Sequence, residues 1–420
     1  MARIIVAGGG IAGLAAAIAA TRAGHEVLVC EQASRFEEVG AGIQMGPNGR
    51  RALEWLGAWE ALSAQVFYPA AVRIRRGDGR DLGRVPLGEE VRRRFGTTYQ
   101  VAHRADLLAA LLEVARRQPG VELRTGVRVT GWRDTAGNKG AAAAASSRGL
   151  PEEPAGAPAR GGVEVMAEEG ALDAEESRGD ALIGADGIRS AIRARLLGDG
   201  PPRPAGHVLY RALVDMERVP PSVDVESVNL WLHPGGHVVH YPVSGGRRFN
   251  IVAAVDENWQ GEGWSSPSAG ERLREVFAGV CGALADVLAL PSGWLRWPGA
   301  DRPAASRWGE GAITLMGDAA HPTLPYLASG AVMALEDAVV LGQELLAAGP
   351  AARGEGLAAA FRRYEARRRP RTSLIVARSH ALGRIYHARP PLALGRDLFI
   401  RAQSGPRALS RMAWLYGWQP

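Results

Sequence analysis

Ile4-Ile5-Val6-Ala7-Gly8-Gly9-Gly10-Ile11-Ala12-Gly13 decides how this chain is read. Four apolar residues, a glycine-rich turn and an alanine-rich run to Ala23 predict strand, turn and helix, the first unit of a dinucleotide-binding α/β fold. Gly8 permits the tight turn, Gly10 lets backbone approach a pyrophosphate, and Gly13 lets the helix pack close to the strand. The helix N-terminus then offers free N–H groups and partial positive charge to phosphates. His25-Glu26-Val27-Leu28-Val29-Cys30 reads as the second strand and delivers Glu31, whose carboxylate can accept both hydroxyls of an adenosine ribose. A secretory signal peptide would also be apolar over residues 4–20. Three consecutive glycines weaken such a helix, only Arg3 precedes the run, and the second strand and its acid would go unexplained.

Composition narrows the rest. A chain of 420 residues with 46% hydrophobic content can bury a large core, in two domains. No later apolar stretch approaches a membrane span. Cys30 and Cys281 stand far apart, which points away from a disulfide framework or zinc site and toward reducing cytoplasm. The net charge is +6, carried by arginine; Lys139 is the single lysine, so neither lysine Schiff-base chemistry nor a Walker-type phosphate loop fits. The arginines are dispersed, and anionic cofactors or substrates account for them better than nucleic acid.

Along the chain, Gly40-Ala41-Gly42 looks like backbone yielding room to a ligand, before a helix expected from about Arg50 to Leu62. Arg104 falls in the first turn of a helix running to Arg117. There the dipole disfavours a cation, and a cofactor phosphate would offset it. Val127-Arg128-Val129-Thr130 alternates like a strand. The low-complexity stretch over about 135–162 reads as a disordered hairpin loop without a role. Asp180-Ala181-Leu182-Ile183-Gly184-Ala185-Asp186-Gly187-Ile188-Arg189-Ser190 reads as a buried strand, a tight turn and a helix start, with Asp-Gly at the strand's end, where open α/β sheets bind ligands. From about His207 to Val255 hairpin signals predict an antiparallel sheet, with His237, Val239 and Tyr241 on one face and His240 on the other. Leu273–Ala289 reads as one helix. Ala312–Met316 is another buried strand, ending in Gly317-Asp318 and a loop through Pro322, Pro325 and Gly330 into a long helix from Ala331. Residues 355 onward are mostly helical, with Pro370 expected to break or kink the run.

Three dispersed features thus stand in order: the glycine turn with Glu31, Asp186-Gly187, and Gly317-Asp318 opening a proline-rich loop. Together they resemble the single-component flavoprotein aromatic hydroxylases, the group similar to para-hydroxybenzoate hydroxylase, over essentially the whole chain. The resemblance implies an α/β fold: a Rossmann-like FAD-binding domain over 1–70, 98–190 and 305–350, an antiparallel β-sheet substrate domain over 71–97 and 191–304, and a helical C-terminal segment over 351–420. It implies bound FAD, held by Gly8, Gly10, Ala12, Gly13, Glu31, Gly42, Arg104, Val129, Asp186 and Asp318, with Gly330 and Ala331 turning a helix N-terminus toward the flavin ring. NADH or NADPH would bind transiently, since no second glycine fingerprint is found. A homodimer, a cytoplasmic location and no metal, nucleic acid or membrane partner are the expectations at family level.

The sequence Tyr326–Ala338 and the His237…Tyr241 spacing look like the branch that includes salicylate, 3-hydroxybenzoate and 6-hydroxynicotinate hydroxylases. That branch implies a small aromatic acid and O2 as substrates, with 3-hydroxybenzoate to gentisate, or salicylate, as examples. Some 3-hydroxybenzoate 6-hydroxylases carry glutamine where this chain has Pro325, a departure that bears on regiochemistry. His237, near the ordinary imidazole pKa, is the expected base for the substrate phenol, and Tyr241 the residue that orients it or relays the proton. His321 reads as a loop-shaping residue. A tailoring hydroxylase or epoxidase on a larger natural product is the alternative; a flavin-binding regulatory protein would have no use for His237, Tyr241 and the complete loop.

Overall fold

The computed structural model describes residues 1–36, 41–135, 162–168, 170–261 and 263–420. Gly40 and nearly all of the low-complexity stretch lie outside the described residues. The organising sheet has six strands in the order Gly309–Glu310, Ile313–Leu315, Ala181–Gly184, Arg3–Ala7, Glu26–Glu31, Val121–Thr125, parallel except for the first. Arg3–Ala7 is central because both its faces are apolar. Ile4, Ile5 and Val6 are fully buried, as a strand covered on both sides by helices requires. The helix Ile11–Arg22 covers it closely because Gly13 has no side chain: a Cβ there would stand 1.8 Å from the Gly8 carbonyl oxygen. Gly8 itself adopts φ 101°, the left-handed region that favours glycine.

A second sheet of eight strands runs Ser266–Ser268, Trp294–Asp301, Arg203–Asp215, Arg248–Asp256, Gly236–Val243, Val228–His233, Ala71–Arg76, Asp81–Pro86. Its pairs are antiparallel except Val228–His233 with Ala71–Arg76. It carries its own core around Phe249, Ile251, Val238 and Trp294. Short ribbons, Gly42–Met45 with Gln100–His103 and Val129–Asp134 with Val163–Ala167, add to the frame.

Local breaks differ from expectation in three places. The helix expected over 50–62 is two, Pro47–Leu56 and Trp59–Ser63, because Gly57 turns left-handed (φ 73°). The stretch 273–289 is likewise split into Glu271–Val276 and Gly282–Ala289. Pro370, in contrast, breaks nothing: Gly354–Tyr386 is one helix of 33 residues. Ion pairs on both sides of the proline pin it to the helix Gly330–Ala348. Arg368 reaches Asp337 at 2.7 Å and Glu336 at 2.8 Å, and Arg371 reaches Glu336 at 2.7 Å. Tertiary contacts thus outweigh the lost hydrogen bond. Among the described residues no helix is long and apolar enough to cross a membrane.

Candidate active site

The carboxyl ends of the parallel strands and one face of the eight-stranded sheet enclose a cavity of about 930 Å3, at the upper end of the roughly 300–1,000 Å3 usual for small-molecule sites. Gly8, Gly10, Ala12, Glu31, Gly42, Arg104, Val129, Asp186, His237, Tyr241, Asp318, Gly330 and Ala331 all line it. Gly13 does not; it sits in the helix–strand contact already described.

Glu31 ends its strand with both oxygens engaged by backbone: Gly9 N–H donates to Oε2 at 2.7 Å and Ala33 N–H to Oε1 at 2.9 Å. Each oxygen keeps lone-pair capacity for a further donor. Asp186 caps the helix Ala191–Leu197, with Oδ2 accepting from Ala191 N–H (2.8 Å) and Ile192 N–H (3.2 Å). Its Oδ1 is buried with no hydrogen-bond partner among the described residues, and burial raises the carboxyl above its ordinary range. Arg104 opens the helix Arg104–Arg116. Burial lowers its guanidinium, partly offset by the Asp318 carboxylate. The turn Gly317–Ala319 that carries Asp318 is held from two sides. Arg193, wholly buried, donates to the Ala319 and Ala320 carbonyls at 3.2 and 3.0 Å. Asp337 Oδ2 accepts from Gly317 N–H (3.2 Å) and meets His321 Nε2 at 2.6 Å. His321 therefore shapes the loop, as expected. The helix Gly330–Ala348 points its uncapped N-terminus into the cavity.

Gly42 shows a reason for glycine that the sequence reading did not contain. A Cβ there would lie 2.5 Å from the Tyr241 ring and 2.8 Å from its hydroxyl. The space is yielded at least partly to Tyr241. Burial raises the Tyr241 phenol well above its ordinary pKa, so it keeps its proton.

His237 and Tyr241 do share the cavity face of Gly236–Val243. His240 points away, accepting from Trp231 Nε1 at 2.9 Å. The expectation that His237 keeps an ordinary pKa is corrected. Burial, then the neighbouring His387 and His207, lower it well below 6.5, so it is neutral at physiological pH. Sequence reading also missed three residues. Arg211 lies on Arg203–Asp215 and lines the same cavity. It forms no ion pair among the described residues, and its Nε is buried and unpartnered. Burial, with the like charge of Arg104, lowers it to about 10, still charged at neutral pH. Its signal was there: one arginine inside the apolar run Val208–Val214. His387 meets His237 Nδ1 at 2.8 Å, and Asp256 meets His387 Nδ1 at 2.5 Å. These two come from distant segments, and no spacing announces them.

The fold and cavity define a nucleotide-binding α/β protein whose glycine turn and one face of a β-sheet line the same cavity. Models of the FAD binding domain match residues 160–379 and 3–39. The 3-hydroxybenzoate 6-hydroxylase of Polaromonas naphthalenivorans is 38% identical over 417 residues, covering 99% of this chain and 96% of that one. A 3-amino-4-hydroxybenzoate 2-monooxygenase of Streptomyces platensis is 39% identical over 422 residues, covering 99% and 96%. The crystal structure of Klebsiella pneumoniae HpxO complexed with FAD and uric acid superposes with a TM-score of 0.77 at 28% identity, covering 98% and 95%. The chain belongs to the single-component FAD-dependent aromatic hydroxylases that resemble para-hydroxybenzoate hydroxylase. Its residues fit that cofactor: an orphaned buried carboxylate oxygen, a glycine turn no side chain could enter, and an uncapped helix N-terminus surround one cavity.

Proposed function

We propose that the protein hydroxylates the ring of a monocyclic aromatic acid bearing a phenol, of the 3-hydroxybenzoate kind, with NADH or NADPH as electron donor and O2 as oxidant. Arg211 is the observation that carries this reading. It is a charged guanidinium on the cavity wall without a carboxylate of its own, and a substrate carboxylate would satisfy it. His237 and Tyr241 on the next-but-one strand would then meet the phenol. His237, neutral through burial, accepts the phenolic proton; Tyr241 donates a hydrogen bond that orients the ring. We assign the cofactor to the residues expected from sequence, with Glu31 at the adenosine ribose, Gly8, Gly10, Ala12 and Arg104 at the pyrophosphate, Val129 at the adenine, and Asp186, Asp318, Gly42, Gly330 and Ala331 toward the flavin. Gly13 supports this cradle through packing. When bound, FAD supplies the redox chemistry that activates O2 for electrophilic attack.

Pro325 also lines the cavity and offers no side-chain hydrogen bond. The 39% identity to a 3-amino-4-hydroxybenzoate 2-monooxygenase supports, as a second reading, an acid whose phenol is placed as in 3-amino-4-hydroxybenzoate. The discriminating experiment follows NADH and NADPH oxidation and hydroxylated product with 3-hydroxybenzoate, salicylate, 6-hydroxynicotinate and 3-amino-4-hydroxybenzoate in turn. Product from one acid supports the reading. Stimulated oxidation giving only H2O2, or no stimulation by any, favours a larger substrate. We propose a homodimer formed through the helix Leu392–Ala402, which exposes Leu392, Leu394, Leu398 and Phe399; a monomeric mass by light scattering would refute it. Free Cys30 and Cys281 support a reducing, cytoplasmic setting.

A further inference from the structure

Behind His237 three side chains run in series from the cavity to the surface. His237 lies on Gly236–Val243, His387 immediately follows the helix Gly354–Tyr386, and Asp256 ends the strand Arg248–Asp256. His237 Nδ1 and His387 Nε2 are 2.8 Å apart; His387 Nδ1 and Asp256 Oδ1 are 2.5 Å apart. Exposure rises along the series. His237 is 5% exposed, the His387 side chain 9% and the Asp256 side chain 37%.

The chemistry of the ends fixes the protons between them. An ionised carboxylate only accepts, so His387 donates from Nδ1. In a neutral imidazole the other nitrogen is then an acceptor, so His387 Nε2 accepts from His237 Nδ1–H. His237 is left with its lone pair on Nε2, on a side chain that lines the cavity and makes its hydrogen bond to His387 through Nδ1. Asp256 is held ionised by its hydrogen bond from His387, with Arg389 at 3.6 Å. The other titratable groups around the pair are Tyr326 and Tyr386, 5.4 and 5.5 Å from the His237 ring, and His207, 6.0 Å from the His387 ring. His207 is tied to the Tyr326 hydroxyl at 3.0 Å, so it does not compete for His237.

We propose that His387 and Asp256 are positioning residues for the hydroxylation: they set His237 as the tautomer whose Nε2 takes the phenolic proton, and they lead that proton to solvent. The step balances without electron transfer. The phenolic O–H bond breaks as Nε2–H forms, the His237 Nδ1 proton moves to His387 Nε2, and the His387 Nδ1 proton moves to Asp256 and then to water. Burial makes a charged His237 unfavourable, which drives the proton onward. The proposal rests on His237 being the base in the function proposed above.

The test is long-range proton–nitrogen NMR on histidine-labelled holoenzyme without substrate, the His237 signals being identified by their loss in His237→Gln. The result expected is His237 protonated at Nδ1 and bare at Nε2, with mixed tautomers in Asp256→Leu that still binds FAD. His387→Gln, whose amide oxygen can still accept from His237 Nδ1–H, should keep the tautomer but cut the route, lowering turnover roughly a hundredfold with KM little changed. A wild-type His237 protonated at Nε2, an Asp256→Leu spectrum identical to wild type, or full turnover in His387→Gln would overturn the proposal. The tautomer is read without substrate, so a wrong substrate assignment leaves that result standing.

Discussion

At the scale of single residues, the cradle and the substrate wall were not equally legible. Gly8, Gly10, Gly13 and Glu31 declare themselves because their spacing is set by one local turn. Asp186 and Asp318 do so because each follows a short buried strand. His237 and Tyr241 share a face by strand alternation alone. What alternation could not supply was environment: besides burial, the nearby His387 and His207, from other segments, hold His237 neutral. Hence the corrected pKa. On this account His237→Gln lowers turnover by roughly two orders of magnitude, and excess H2O2 appears at the expense of product, measured by coupled oxidase and product assays. A variant with undiminished product formation would remove His237 from the chemistry.

At the scale of elements, the turn carrying Asp318 depends on the joint between Gly330–Ala348 and Gly354–Tyr386. Glu336 and Asp337 are fully buried in it, met by Arg368, Arg371, Asn48 and His321. Burial alone would raise both carboxyls; Arg368 with Arg371 for Glu336, and His321 with Arg368 for Asp337, hold them below their ordinary values. No periodicity revealed this joint, and it is also why Pro370 fails to stop the helix. Arg368→Ala takes from both buried carboxylates the cation they share and should cost about 3–5 kcal/mol, read by denaturant unfolding. A loss below 1 kcal/mol would contradict the role given to the joint. Because both folded pKa values are depressed, the stability these carboxylates contribute is present above the unfolded values of 4.5 and 3.8 and lost as pH falls below them.

At the scale of the whole molecule, two sheets line one cavity: the parallel one brings the glycine turn and Glu31 to it, and the antiparallel one brings Arg211, His237 and Tyr241. The second sheet also makes the molecule sensitive to mild acid. His207 and His240 are lowered by burial to about 4 and about 3, and His237 lies well below 6.5. Below pH 6.5 the unfolded chain binds protons that the folded one refuses, so stability rises with pH. Each imidazole contributes about 1.4 kcal/mol per pH unit down to its own folded value. Thermal unfolding midpoints should therefore fall steadily from pH 6.5 toward pH 5, and a flat profile would count against neutral histidines at these three positions. The central claim is that Arg211 orients a carboxylated phenol in front of His237. Its most direct measurement compares KM for 3-hydroxybenzoate and for 3-hydroxybenzamide in wild type and Arg211→Leu. The account predicts a rise of roughly tenfold to a hundredfold for the acid, the value of a charge-assisted hydrogen bond, and little change for the amide. Equal changes for both ligands, or none for the acid, would contradict it.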